Sequence, residues 1–155
     1  MNKENTENKT PLIAAGDVKT FLNIYHSYYA LPGIIVEGNK IGRTIGFPTA
    51  NILPDSGFSV PKEGVYAVFV SIDKKVLKGM LNIGIRPTFN LSQVTIEVHL
   101  LDFSEMIYNR RITIYFVDRI RNEIKFESKE LLIEQLNSDR NTINEILDMS
   151  PLPLL

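Results

Sequence analysis

The sequence contains no cysteine and no tryptophan, and its only histidines are His26 and His99. Without cysteine, disulfide bonds and thiolate metal sites are excluded, and two histidines argue against a multi-histidine zinc site. The lack of cysteine also suits a reducing compartment, so we expect a cytoplasmic protein. Any bound metal is expected to be a hard ion held by oxygen atoms.

Long apolar runs and a strong charge bias are missing as well. No apolar run approaches the roughly 18 residues of a membrane helix, and the polar N-terminus does not resemble a signal peptide. The net charge is −1, which gives no indication of a nucleic-acid surface. We therefore expect neither a membrane nor a nucleic-acid partner. The 155 residues suffice for one domain with its own core.

The N-terminal part divides into a polar tail and a helical segment. We expect residues 1–12 to be disordered, because the first ten residues carry almost no apolar side chain that could offset the ordering entropy. Residues 13–30 are expected to form a helical connector, in which Asp17 is a candidate N-cap for the apolar stripe that begins at Val18. Residues 31–150 then form the main domain.

Strand patterns dominate that domain. Residues 64–72 are apolar on both faces, as in a strand that is covered on each side. Residues 94–100 alternate, and this alternation puts Thr95, Glu97 and His99 on one face. Many short strands with few helices predict a mainly β fold, a closed antiparallel barrel without exposed edges.

The C-terminal end changes to helical spacing. Ser128 is a candidate N-cap for an apolar stripe that follows it. The polar residues 137–139 interrupt this stripe, so the pattern predicts two short helices. We expect these helices to cover one mouth of the barrel.

A glycine-rich stretch, residues 38–51, stands out after the first predicted strand. It holds three glycines, one proline and two cationic residues, and such loops can direct backbone N–H groups at phosphate. Neither the P-loop nor the dinucleotide-binding fingerprint is present. Thr49 and Asn51 offer a hydroxyl and an amide oxygen, which magnesium accepts beside phosphate and water. On the residues alone, an ordinary turn whose Thr and Asn bond their own backbone stays open.

Residues 42–51, Gly-Arg-Thr-Ile-Gly-Phe-Pro-Thr-Ala-Asn, closely resemble the signature of the riboflavin kinase family, which makes flavin mononucleotide (FMN) from riboflavin and ATP. Further family motifs follow in order, and the resemblance covers roughly residues 30–148. It implies a six-stranded antiparallel Greek-key β-barrel with flanking N- and C-terminal α-helices. The other matching segments are residues 64–67, 82–89 and 97–103, and residues 120–121 ahead of residues 125–126.

The resemblance also implies roles for individual residues. Glu97 matches the catalytic base, although an outer-face, solvated glutamate is the alternative. Thr49 and Asn51 match the metal-binding positions. The nucleotide-binding positions are Gly38, Lys40, Gly42, Arg43, Gly46, Pro48, Thr49 and Asn51. The flavin-binding positions are Asn82, Arg86, Thr88, Arg121 and Phe126.

Several alternatives to these roles stay open. His99 is interpreted as a structural histidine with satisfied hydrogen bonds, and Phe126 could equally belong to the core. The segment with Asn82, Arg86 and Thr88 is either a loop that lines the site or a turn fixed by Pro87. The family usually has glycine where this chain has Asn109. We expect the turn to survive, because asparagine tolerates left-handed φ.

Together these observations predict a riboflavin kinase with ATP as co-substrate and Mg²⁺, or another hard divalent ion, as cofactor. The alternatives are a catalytically inactive flavin-binding module and the kinase half of a two-domain FAD synthetase. Residues 15–33 resemble the connector to an adenylyltransferase in bacterial two-domain flavin enzymes. An adenylyltransferase domain is therefore an expected partner in a full-length protein.

Overall fold

A computed structural model of the chain describes residues 9–36, 45–89, 91–103, 105 and 108–155. Within these ranges the chain forms six strands and three helices. In chain order they are α1 (Lys9–Ala14), α2 (Val18–Tyr25), β1 (Tyr29–Val36), β2 (Ala50–Pro54), β3 (Gly64–Ile72), β4 (Lys75–Thr88), β5 (Leu91–Leu100), β6 (Arg111–Arg121) and α3 (Lys129–Asp148).

The six strands close into an antiparallel barrel in the order β1–β2–β5–β4–β3–β6. Strands β3, β4 and β5 are consecutive neighbours, and β6 returns to lie beside β3, which is the Greek-key arrangement. The prediction of a mainly β, six-stranded Greek-key barrel is confirmed. Among the described helices, none combines the length and the apolar character that crossing a bilayer requires.

Strand β3 is buried on both faces, as its sequence predicts. Tyr66, Val68 and Val70 point into the barrel and are fully buried in a core cluster with side chains from the other strands. The alternate residues point outward and are nonetheless buried, because α3 covers this part of the wall. The outward cluster contains Val65, Ala67, Phe69, Met80, Ile143 and Leu147.

Helices α1 and α2 pack where β1 and β3 begin and β6 ends. Ile13, Val18 and Phe21 belong to the interior cluster, so the expected connector is part of the barrel core. Asp17 caps α2 as predicted, since its carboxylate accepts the Thr20 N–H at 3.1 Å. The expectation of disorder over residues 1–12 is wrong for residues 9–12, which are helical because Ile13 anchors α1 in the core. Residues 1–8 lie outside the described residues.

The C-terminal prediction of two helices is wrong, because α3 is continuous. Ser128 caps it as expected, accepting the Leu131 N–H at 3.2 Å. The polar residues in the middle do not interrupt the helix. Asn137 donates its side-chain amide to the Ile133 carbonyl, and Asp139 is only 2% exposed in an ion pair with Arg121.

The predicted position of this helix at a barrel mouth is also wrong. Ile143 and Leu147 of α3 pack on the outward-facing apolar residues of β3, so the helix lies against the outer wall. This position follows from the sequence of β3, whose second apolar face would otherwise be exposed to water.

The loop or turn expected around Pro87 is strand in the structure. β4 pairs with β5 as far as Thr88 and Leu91, whereas its pairing with β3 ends at Ile83. Beyond Ile83, β4 has no strand neighbour on the β3 side among the described residues, so proline is tolerated there. The expected survival of the turn at Asn109 is confirmed, since its φ is 60° and its N–H donates to the Ile35 carbonyl at 2.8 Å.

Candidate active site

Three polar side chains lie side by side on the outer wall of the barrel. Asn51 of β2 is directly opposite Glu97 of β5, and Glu97 is directly opposite Asn82 of β4. Their chain neighbours point into the barrel, so these three side chains point outward. Directly opposed residues have Cβ atoms about 4.5–5.5 Å apart. The strand register therefore assembles one continuous polar row.

A cleft of about 340 Å³ lies between this wall and α3. Its volume is near the lower end of the range for small-molecule sites, about 300–1,000 Å³. Its lining combines apolar and polar side chains, which suits a ligand that has both apolar and polar parts. The apolar lining is Ile45, Phe47, Val65, Met80, Ile124, Phe126, Leu132 and Leu136. The polar lining is Thr49, Asn82, Glu97, His99, Arg121 and Glu123.

Glu97 faces this cleft from the middle of β5. Its side chain is only 14% exposed, although it lies on the outer face, because the surrounding wall shelters it. Nη2 of Arg86 approaches its Oε1 at 3.3 Å from the projecting end of β4. The carboxylate is thus held at the cleft surface beside two amide side chains, rather than extended into water.

Thr49 lies just before β2 and also faces the cleft. Its hydroxyl oxygen is buried and has no hydrogen-bond partner among the described residues. Leaving such a group unsatisfied costs about 1–3 kcal/mol, so this oxygen suits a phosphate or a hard divalent ion. Among the described residues, no three or more acidic or histidine side chains are arranged so that they could hold a metal ion by themselves. A cation here would complete its shell with phosphate oxygens and water.

His99 is buried next to Thr49, with 8% exposure. Its Nδ1 is 2.8 Å from the Pro48 carbonyl oxygen, and since a carbonyl only accepts, Nδ1 carries the proton. Burial lowers the pKa of His99; the bond to Pro48 opposes this shift and the charge of Arg140 adds to it. The Phe47 ring meets the imidazole edge-on at 5.3 Å, and the Arg140 Cζ lies 4.9 Å from the Phe47 ring centre.

Arg121 lines the cleft, but most of its donors are engaged. Nε and Nη2 contact the Asp139 carboxylate at 2.7–3.1 Å, and Gln135 donates to the same carboxylate at 2.9 Å. The guanidinium carbon is 5.9 Å from the Phe126 ring centre. Arg121 therefore connects the end of β6 to α3 and fixes the helical side of the cleft.

Glu123 is a cleft residue that the sequence analysis missed. It lies in the segment after β6 and accepts a hydrogen bond from the Asn82 amide of β4 at 3.2 Å. A Cβ atom at Gly84 would lie 2.7 Å from Glu123 Oε1, so glycine permits this approach. Glu123 lies between the matching residues 120–121 and 125–126, and nothing in the local pattern distinguished it from a solvated glutamate.

Of the remaining predicted positions, some are described by the structure and others are not. Gly46 and Pro48 form the exposed approach to Thr49, and the φ of Gly46, 83°, favours glycine there. Thr88 ends β4, on the projecting part of the hairpin. The predicted nucleotide-binding positions Gly38, Lys40, Gly42 and Arg43 lie outside the described residues.

The fold and the site define a class of protein, a closed β-barrel with a small-molecule cleft on its outer wall and oxygen donors suited to a phosphorylated ligand. The family model described as riboflavin kinase matches residues 25–147. The chain belongs to the riboflavin kinase family.

The chain is similar to proteins named bifunctional riboflavin kinase/FMN adenylyltransferase. It is 41% identical over 128 residues to the protein of Bacillus subtilis (strain 168), which covers 81% of this chain and 40% of the relative. It is 42% identical over 131 residues to the protein of Haemophilus influenzae, which covers 84% of this chain and 42% of the relative. The chain thus spans about two fifths of the length of these relatives.

Two solved structures share the fold. A crystal structure described as a macrolide-efflux protein from Streptococcus pneumoniae matches with a TM-score of 0.83 and 34% identity, over 87% of this chain and 44% of that chain. A riboflavin kinase from Trypanosoma brucei matches with a TM-score of 0.57 and 22% identity, over 81% of this chain and 93% of that chain. At 22% identity, the second likeness concerns the fold alone.

Proposed function

We propose that the chain is a riboflavin kinase, which transfers the γ-phosphoryl group of ATP to the ribityl 5′-hydroxyl of riboflavin and releases FMN and ADP. The observation that carries the proposal is the outward row of Asn51, Glu97 and Asn82 beside the buried, unpartnered hydroxyl of Thr49. Phosphoryl transfer to an alcohol needs donors on the phosphates and an acceptor for the alcohol proton, and this set contains both.

Glu97 is proposed as the general base. Its carboxylate, sheltered in the wall and approached by Arg86, would accept the proton of the 5′-hydroxyl as the oxygen attacks the γ-phosphorus. A positioned base contributes about 10²–10⁴-fold to the rate. The leaving group is ADP, whose charge the phosphate-binding residues stabilise.

Thr49 and Asn51 are the proposed ligands of Mg²⁺ or another hard divalent ion, together with ATP phosphate oxygens. When bound, the ion would offset the negative charge of the phosphates. The hydroxyl of Thr49 fits this role because it is buried without a partner. Gly46 and Pro48 lead the chain to Thr49. For Gly38, Lys40, Gly42 and Arg43, phosphate binding is proposed from the family resemblance.

The apolar residues of the cleft are the proposed contacts of the flavin ring. Val65, Met80 and Phe126 are among them, and Asn82 and Arg121 line the same cleft. A flat, partly apolar ring would bury these apolar surfaces, and the amide and guanidinium groups would orient its polar atoms. Arg86 and Thr88 are proposed flavin-binding residues on the projecting hairpin.

We also propose a cellular context for this activity. The relatives are named for both a kinase and an adenylyltransferase activity, and the chain spans only about two fifths of their length. In a full-length protein, an adenylyltransferase domain would convert FMN to FAD. The proposed compartment is the cytoplasm, which supplies ATP and magnesium.

Incubation of the purified chain with riboflavin, ATP and Mg²⁺ tests the proposal directly. The expected products are FMN and an equal amount of ADP, with no FAD, identified by chromatography and mass spectrometry. Reactions without ATP and with the Glu97→Gln variant serve as controls. Riboflavin binding without FMN formation under Mg²⁺, Mn²⁺ or Zn²⁺ would favour the inactive flavin-binding module. FAD formation would contradict a kinase that acts alone.

A further inference from the structure

The hydrogen bond between His99 and Pro48 controls the one backbone rotation that the proline ring leaves free. The ring fixes φ of Pro48 near −65°, so the direction of its carbonyl depends on ψ alone. His99 Nδ1–H holds that carbonyl at 2.8 Å. The same peptide unit contains the backbone nitrogen of Thr49. Fixing the Pro48 carbonyl therefore fixes the plane of the peptide unit from which the Thr49 side chain projects.

His99 is itself held by its strand and by the Phe47 ring. It lies in β5, two residues after Glu97 and on the same outward face, so the strand sets its Cα position. Phe47 packs edge-on against the ring at 5.3 Å. Arg140 of α3 covers Phe47 at 4.9 Å, and Arg140 donates to Asn137 at 2.8 Å. A continuous series of contacts thus connects α3 to the turn before Thr49.

We propose that His99 is a positioning residue for phosphate and metal binding, because its Nδ1–H fixes the turn that presents the Thr49 hydroxyl to the cleft. This inference rests on the proposed kinase function. His99 need not touch ATP, riboflavin or the metal, since it acts through the Pro48–Thr49 peptide.

Filling space does not by itself explain a histidine at this position. Burying a polar ring costs free energy unless its polar atoms are bonded, and an apolar side chain would avoid that cost. The Thr49 hydroxyl has no hydrogen-bond partner among the described residues that could orient it. The backbone sets the position of the Thr49 Cβ, from which the hydroxyl projects, and His99 contacts this backbone at the preceding residue.

The test compares two nearly isosteric variants, His99→Asn and His99→Leu. The Asn side-chain amide branches from the same carbon as Nδ1 and retains a donor, whereas Leu has the same branching without one. We expect His99→Leu to weaken Mg-ADP binding, measured by calorimetry without turnover, by about tenfold, the upper end of a net hydrogen bond. The KM for ATP should rise similarly and the KM for riboflavin should stay unchanged. His99→Asn should remain within about threefold of the original chain.

Urea unfolding of each variant shows that the comparison is made on folded protein. If His99→Leu does not fold, His99→Gln replaces it, because its amide lies one bond farther out and cannot reach Pro48 in the same geometry. Wild-type affinity in the variant without the donor would overturn the inference, and so would equal losses in the Asn and Leu variants. If the wild-type chain makes no FMN, the proposed function is wrong. If the wild-type chain makes FMN and His99→Leu leaves Mg-ADP affinity and the KM for ATP unchanged, only this inference is wrong.

Discussion

Asn51 and Glu97 lie directly opposite each other across β2 and β5, with both side chains on the outer wall of the barrel. The register places a proposed metal ligand beside the proposed base. A slip of one residue in this pairing would turn one of the two side chains toward the interior. Barrel closure therefore sets the spacing of the proposed catalytic groups.

Replacing Glu97 by Gln should separate binding from turnover. The amide has nearly the shape of the carboxylate but is a far weaker base, so we expect the rate of FMN formation to fall by about 10²–10⁴-fold. Riboflavin affinity, measured by quenching of flavin fluorescence, should change little. Near-wild-type turnover in this variant would identify Glu97 as an ordinary outer-wall glutamate.

Replacing Asn51 by Ala should raise the concentration of Mg²⁺ that gives half-maximal activity at fixed ATP. The change removes an oxygen donor that Asn51 offers to the ion, and riboflavin binding should not be affected. Asn23→Ala on the exposed side of α2 is a matched control that should leave the magnesium titration unchanged. An unchanged titration for Asn51→Ala would remove this residue from the metal site.

The ion pair between Arg121 and Asp139 should contribute strongly to stability. Asp139→Ala leaves the Arg121 charge in a site where its side chain is only 16% exposed, and breaking such a buried pair costs about 3–5 kcal/mol. Asp148→Ala is the control, because Asp148 is 58% exposed beside Lys78 and such pairs contribute about 0–1 kcal/mol. Urea unfolding measures both variants. Equal decreases in the free energy of unfolding would show that the buried Arg121–Asp139 pair contributes no more than the exposed pair.

Stability should decrease as the solution becomes acidic, and His99 should cause part of the decrease. Because burial lowers the pKa of His99, the unfolded chain binds a proton more readily than the folded one. The free energy of unfolding then falls once the pH drops below about 6.5, the unfolded-state pKa, until the pH passes the lowered folded-state pKa. The His99→Asn variant lacks this titratable group, so its free energy of unfolding should fall less between pH 7 and 5. Equal decreases in the variant and the original chain would show that His99 does not contribute to the pH dependence.

Much of the barrel was predictable because local pattern and final environment agree. Alternation identified β5, the continuous apolar run identified β3, and Asp17 and Ser128 cap helices where capping chemistry places them. The left-handed φ of Asn109 followed from the glycine that the family has at this position and from the tolerance of asparagine for this conformation. In each case the deciding interaction lies within a few residues along the chain.

The predictions that were wrong or incomplete concern features that depend on contacts between residues far apart in sequence. The polar residues 137–139 resemble a helix break in the sequence. The contact between Arg121 and Asp139 explains why the helix continues, and a local sequence pattern does not reveal that contact. Alternation placed Glu97 on one face with Thr95 and His99, but its shelter from water comes from the cleft walls, including the segment after β6 and α3. Glu123 and the bond from His99 to Pro48 were missed for the same reason, since each joins elements far apart in sequence.

Because the cleft is on the outer wall, substitutions at neighbouring residues of the same strand have different consequences. In β3, Tyr66 and Val68 fill the interior, while Val65, their neighbour on the other face, lines the cleft. A substitution at an interior position changes the energy of closing the barrel, and a substitution one residue away changes the surface offered to a ligand. Ligand preference can therefore diverge within this fold while the barrel interior stays the same.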